Sequence, residues 1–107
     1  MRPVTHGDVV AAARVLYSYG EAERPEMIER MLRQARRADR FRAETGRVHP
    51  FWGDGSLMSA ALQMDPPAEP ALADEDYCAC LAQVFEALIN RERNLRRSVS
   101  SDLVPAA

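Results

Sequence analysis

The chain has 107 residues, a mass of 12.0 kDa, 47% apolar and 28% charged residues, and a formal net charge of −2. That is one domain's worth of ordinary globular composition, which excludes disordered, collagen-like and disulfide-dense chains. All 14 basic residues are arginine, so there is no side-chain amine for a Schiff base and no P-loop lysine, and the acidic balance of the whole chain does not advertise a polyanion partner.

Cys78 and Cys80, two residues apart, would point about 200° apart on a helix and cannot bridge each other. This predicts reduced thiols and a cytoplasmic setting. The opening segment Met1–Asp8 lacks the apolar stretch of a signal peptide, and no run approaches the roughly 18 apolar residues of a membrane span, so neither a leader nor a membrane partner is expected.

The first helix is expected after Thr5-His6-Gly7-Asp8, whose Thr and Asp have capping-box spacing. It runs through Val9, Val10, Ala13, Leu16 and Tyr17 and closes on Gly20 in the left-handed conformation. Pro25 suits the first turn of a second helix. Its stripe is Met27, Ile28, Met31, Leu32, Ala35, Ala38, Phe41 and Thr45, and Gly46 ends it. Glu23, Glu26 and Glu29 crowd its start and Arg33, Arg36, Arg37, Arg40 and Arg42 its end, which suits the macrodipole at both ends.

Periodicity breaks between Gly46 and Met64. Arg47 to Gly55 reads as an ordered loop with two large aromatics, after which Asp54 or Ser56 caps a short helix through Leu57, Met58, Ala60, Ala61 and Leu62. Asp65-Pro66-Pro67-Ala68-Glu69-Pro70 predicts an extended linker. Asp74 then caps a last helix whose stripe is Tyr77, Cys78, Leu81, Val84, Phe85, Leu88, Ile89 and Leu95, with Cys78 in the core and Cys80 at its margin. Residues 1–98 form the expected single domain and 99–107 a frayed, flexible tail. Three long helices and one short one, each apolar on one face, predict an all-α bundle, and the linker allows helices two and four to run parallel.

The segment His49 to Ser56 is the one stretch a bundle does not require. Its glycines would let a backbone approach a ligand, the following helix N-terminus would favour an anion, and Trp52 would offer a stacking surface with His49 or Asp54 moving a proton. The plain alternative is a crossover needing Gly for turns, Ser56 or Asp54 for a cap, and rings to plug the bundle end. A hydrolase triad of Ser56, His49 and Asp54 is disfavoured, because the strand–turn–helix elbow is missing. No catalytic residue and no cofactor is assigned. A metal site is not expected either, since no pair among His6, His49, Cys78 and Cys80 has ligand spacing.

Arg42 and Glu92 each interrupt an apolar arc, about 60° from Met27 and from Tyr77 respectively. If helices two and four are parallel, the two could pair, with Asp39 the competing partner for Arg42. Otherwise Arg42 could clamp a carboxylate or phosphate beside Trp52. On the outer face of helix two, Glu26–Arg30, Glu29–Arg33 and Arg40–Glu44 have i,i+4 spacing, which favours a salt-bridged solvent face over nucleic-acid binding.

The run His49-Pro50-Phe51-Trp52-Gly53-Asp54-Gly55-Ser56-Leu57-Met58, after an arginine-rich helix, resembles a family of short, all-helical bacterial proteins of uncharacterised function. The resemblance spans nearly the whole chain and implies no activity. The function expected from the residues is non-enzymatic: protein–protein contacts, with another protein or with a second copy as a homodimer that covers leftover apolar area. Five methionines suit adaptable contact faces. The alternative is a small-molecule or anion site formed by Arg42, His49, Trp52, Asp54 and Ser56, and the third is nucleic acid on the arginine face of helix two.

Overall fold

The computed structural model describes residues 1–103, and side chains through residue 99. Helix α1 spans His6–Tyr17, and its Asp8 carboxylate accepts from both the backbone N–H (2.7 Å) and the hydroxyl (2.8 Å) of Thr5. Ala11, Ala12 and Ala13 are all buried, so α1 is enclosed on several sides rather than one. Alanine makes this possible, because its methyl lets neighbouring helices approach closely. α1 accordingly packs against the other three helices.

The expected left-handed Gly20 is not seen. Among the described glycines only Gly46, Gly53 and Gly55 have positive φ. The end of α1 is closed instead by Ser18 and Tyr19 N–H groups donating to Val15 and Leu16 carbonyls, and by the Arg24 Nε–H, which reaches the Leu16 and Tyr19 carbonyls at 2.9 and 3.0 Å. With those carbonyls satisfied, the chain needs no αL cap.

Helix α2 spans Arg24–Thr45 with Pro25 in its first turn, and ends as expected at Gly46, φ 71°, whose N–H donates to Arg42. Its stripe is buried from Met27 to Ala38, but Phe41 is only half-buried and Thr45 is exposed, because α2 outruns the bundle. Helix α3 spans Leu57–Leu62 with Ser56, not Asp54, as its cap, accepting from the Ser59 N–H. The Met58 N–H donates to buried Asp8 at 2.8 Å, so one carboxylate ties the first turns of α1 and α3 together.

Helix α4 spans Glu75–Leu103 and begins on the Asp74 carboxylate, which accepts from the Tyr77 N–H. The helix therefore continues past Ser98, where a frayed tail was expected; residues 104–107 lie outside the described part. The inward face of α4 is rotated from the expected one: Tyr77 and Val84 of the expected stripe are buried, together with Cys80, whereas Phe85 and Ile89 are 46% and 48% exposed. Leu95, five turns beyond Tyr77 on the same face, is 45% exposed. Cys78 and Cys80 thus exchange their expected roles: Cys78 is exposed and Cys80 buried, both as free thiols. Two apolar stripes overlap on this helix, and α1 has room only for the smaller one.

α2 and α4 run in the same sense. They begin together at Arg24 and Asp76, and farther along Leu32 and Arg36 face Ala87 to Ser98. Buried side chains of all four helices form one cluster. No described helix is long and apolar enough to cross a membrane. The protein is all-α.

Candidate functional site

The loop between α2 and α3 is held at every corner. His49 and Gly53 exchange backbone hydrogen bonds (3.0 and 3.2 Å), and the His49 Nδ1 accepts from the N–H groups of Phe51 and Trp52 at 3.1 Å each. That acceptor role assigns the neutral ring's hydrogen to Nε2. The His49 ring stacks on Trp52, with centroids 4.6 Å apart and planes 4° from parallel, and meets Phe41 edge-on at 5.0 Å. His49 shares no hydrogen bond with Asp54 or Ser56 among the described residues, so the triad geometry is not present.

The Asp54 carboxylate accepts from the Ser59 hydroxyl (2.5 Å), the Ser56 N–H (3.0 Å) and Arg2 (3.0 Å). Those bonds, the Ser59 hydroxyl above all and then Ser56, hold its acidity well below the ordinary carboxylate range. Asp54 is therefore a saturated anion that pins loop, N-terminal segment and α3 together. Ser59 is the partner sequence reasoning missed; its position three after the Ser56 cap was the available signal. Ser56 is occupied too, its hydroxyl lying 2.7 Å from that of Ser59.

Arg42 is exposed and reaches only the Asp54 carbonyl, at 3.4 Å. It does not pair with Glu92, which meets Arg91 at 3.1 Å, nor with Asp39, which meets the Met1 amine at 2.9 Å. The N-terminal segment lies against α4 beside Glu92, in a groove lined by Met1 to Val4, Leu88 and Arg91, and this separates the two residues. Of the five candidate residues Trp52 lines a groove, about 410 Å3 in volume, with Tyr19, Met27, Gln34 and Met64.

The buried cation is elsewhere. Arg24, 5% exposed, binds both carboxylate oxygens of Asp76 at 2.8 Å while its Nε caps α1. A cation in the first turn of a helix opposes the macrodipole, and that anomaly was the sequence signal for a special role. Among the described residues no three His, Cys, Asp or Glu side chains are grouped as a metal ion would require.

Two surfaces are left without internal partners. One is the outward strip of α4 around Phe85, Leu88 and Ile89, a cleft of about 480 Å3 that also holds Glu92, Arg93 and Arg96. The other is the row Arg33, Arg36, Arg37 and Arg40 on α2. The salt bridges expected to neutralise the outer face of α2, Glu26–Arg30, Glu29–Arg33 and Arg40–Glu44, are not formed among the described residues. Extended arginines on a solvated helix gain little from such pairing, so its absence is cheap.

No curated protein and no solved structure matches the chain. A family model described as a domain of unknown function matches residues 2–88, from the N-terminal segment to the middle of α4, and the chain belongs to that family, DUF7742.

Proposed function

We propose that this protein works by protein–protein contact through the outward face of α4, and that its first partner is a second copy of itself. The observation that carries this reading is the exposure of Phe85, Ile89 and Val99 along one face of the helix, Val99 at 57%. From Glu92 to Val99 every side chain is exposed, and a helical segment without packing is marginal in water. A partner helix would stabilise it by covering apolar area.

The face is self-complementary. Ile89, Glu92, Arg96 and Val99 read apolar, acid, base, apolar with symmetric spacing, so an antiparallel copy places Ile89 against Val99 of the second copy and Glu92 against Arg96 of the second copy, twice about one two-fold axis. A single-helix face lies at the small end of specific interfaces, so the association is weak. The free thiols support a cytoplasmic setting.

Sedimentation equilibrium of four proteins tests this. The wild type is expected to dimerise; Glu92→Arg and Arg96→Glu each set like charges together and weaken dimerisation about tenfold or more, and combining them restores it. A wild type that stays monomeric at high micromolar concentration removes the self-pairing. A photo-crosslinker at position 85 that captures no protein in host cells removes the contact reading altogether.

A second reading, a small-molecule site, is supported by the groove beside Trp52 alone. Quenching of the Trp52 fluorescence by a bound metabolite would favour it.

A further inference from the structure

The total of −2 hides a segregated surface. Because α2 and α4 start together at Arg24 and Asp76, Glu21, Glu23 and Glu26 share one pole with Asp74, Glu75 and Asp76. The second halves of both helices, where arginines outnumber Asp39, Glu44 and Glu92, lie toward the other pole. On α2, Arg33, Arg36, Arg37 and Arg40 are all exposed and surround a depression of about 260 Å3. No carboxylate among the described residues pairs with any of the four.

This basic surface continues to both sides. Arg36 also lines the groove between α2 and α4, about 300 Å3, where Arg91, Asn90, Asn94 and Ser98 supply further polar groups and Glu29 is the one acid. On the other flank of α2, Arg30 and Gln34 share a depression with Phe51 and Trp52. Phe51 tilts against the His49 ring at 5.9 Å and is 69% exposed, so most of its ring meets solvent.

We propose that the arginine face of α2, together with the Phe51–Trp52 rings beside it, binds single-stranded nucleic acid. Guanidinium groups neutralise a phosphate backbone and release its counterions, while an open ring gives an unpaired base a face to stack on. A duplex keeps its bases stacked inside and cannot use the rings, so the single strand is favoured. The proposal uses α2 and the loop and stands independently of any contact made by α4.

Fluorescence anisotropy tests it at low salt with a labelled oligothymidylate of about 20 nucleotides, a duplex of equal length, and polyglutamate as competitor. Binding to the oligothymidylate is expected to fall steeply with salt. Replacing Arg33, Arg37 and Arg40 with Gln reduces the slope of log K against log salt by about 2, at about 0.7 per lost contact. Phe51→Ala weakens single-strand binding about tenfold and leaves residual duplex binding unchanged. All four positions are exposed or half-buried, so unchanged helical circular dichroism shows that the variants remain folded. No binding at low salt overturns the proposal. Equal binding to the duplex with Phe51→Ala silent overturns the single-strand assignment, and polyglutamate competing charge for charge points to an acidic protein instead.

Discussion

Gly55 has φ 94° and lies against α2, so that a methyl group added to it would sit 2.7 Å from the Asp39 Cα. Backbone cannot give way as the tip of a side chain can. Gly46, φ 71°, has nothing within 4 Å and meets only the conformational penalty of the left-handed region. Gly46→Ala should therefore cost about 1 kcal/mol and Gly55→Ala about 3 kcal/mol or more, read from urea denaturation midpoints. Equal costs would mean that the loop does not press on α2. At this scale the sequence marked the residues that the loop brings together but not their hydrogen-bond partners. His49, Trp52, Asp54 and Ser56 are close together, yet their hydrogen bonds run to the backbone, to Ser59 and to Arg2 rather than toward a common reactive point. Composition identifies turn residues and rings; it does not say where a carboxylate's lone pairs are spent.

Among the elements, α2 and α4 are joined at their first turns by Arg24, and the energetics of that joint follow from burial. Asp76 is half exposed (56%) while the Arg24 side chain is 6% exposed. Removing the carboxylate leaves a buried cation that still donates to two carbonyls, so Asp76→Ala should lower the urea midpoint only modestly, solvent screening the Asp76 side. Arg24→Met uncaps α1 as well and should cost more, about 2–4 kcal/mol. A double-mutant cycle separates the pair from the caps; a coupling near zero would show that the carboxylate is incidental. Helix positions were legible because capping and periodicity are local signals: Thr5, Pro25, Gly46, Ser56 and Asp74 mark the boundaries the structure has. The rotation of α4 was not legible. Tyr77, Leu81, Val84 and Leu88 read correctly as core-facing, but Cys78, Phe85 and Ile89 continue the same apolar arc on one side and Cys80 lies on the other, and periodicity alone does not choose between the two sides.

For the molecule as a whole, three carboxylates titrate in a common direction. Asp54 is lowered by the hydroxyls of Ser59 and Ser56, Asp74 by the Tyr17 hydroxyl at 2.6 Å, and Asp76 by Arg24. A carboxylate lowered in the folded state contributes stability above its unfolded pKa of about 3.9 and loses it as pH falls through the folded value. Tyr77 works at the opposite limit. Burial and its bond to Glu69 push its hydroxyl up to about 12, so the unfolded chain ionises first and stability falls as pH rises from about 10 toward that value. Burial pushes the Cys80 thiol up as well, and the Asp74 carboxylate raises Tyr17, so denaturation midpoints should fall below about pH 4 and, on the alkaline side, from about pH 8.5 upward. Asp54→Asn should flatten the acid limb and Tyr77→Phe the alkaline one; an unaltered acid limb in the first variant would show that Asp54 is not held as described. The charge polarity of the molecule was hidden in the totals and became visible only once α2 and α4 were found to point the same way.

The two thiols have a practical consequence. Cys78 is open to water, and Cys80, two residues along and on the other side of the helix, is buried in the core with its acidity weakened first of all by burial. A maleimide dye therefore attaches at one native position without any engineering, and the second position reacts only while α4 is lifted from its neighbours. The lag between the two labelling events is a clock for the opening of the fold.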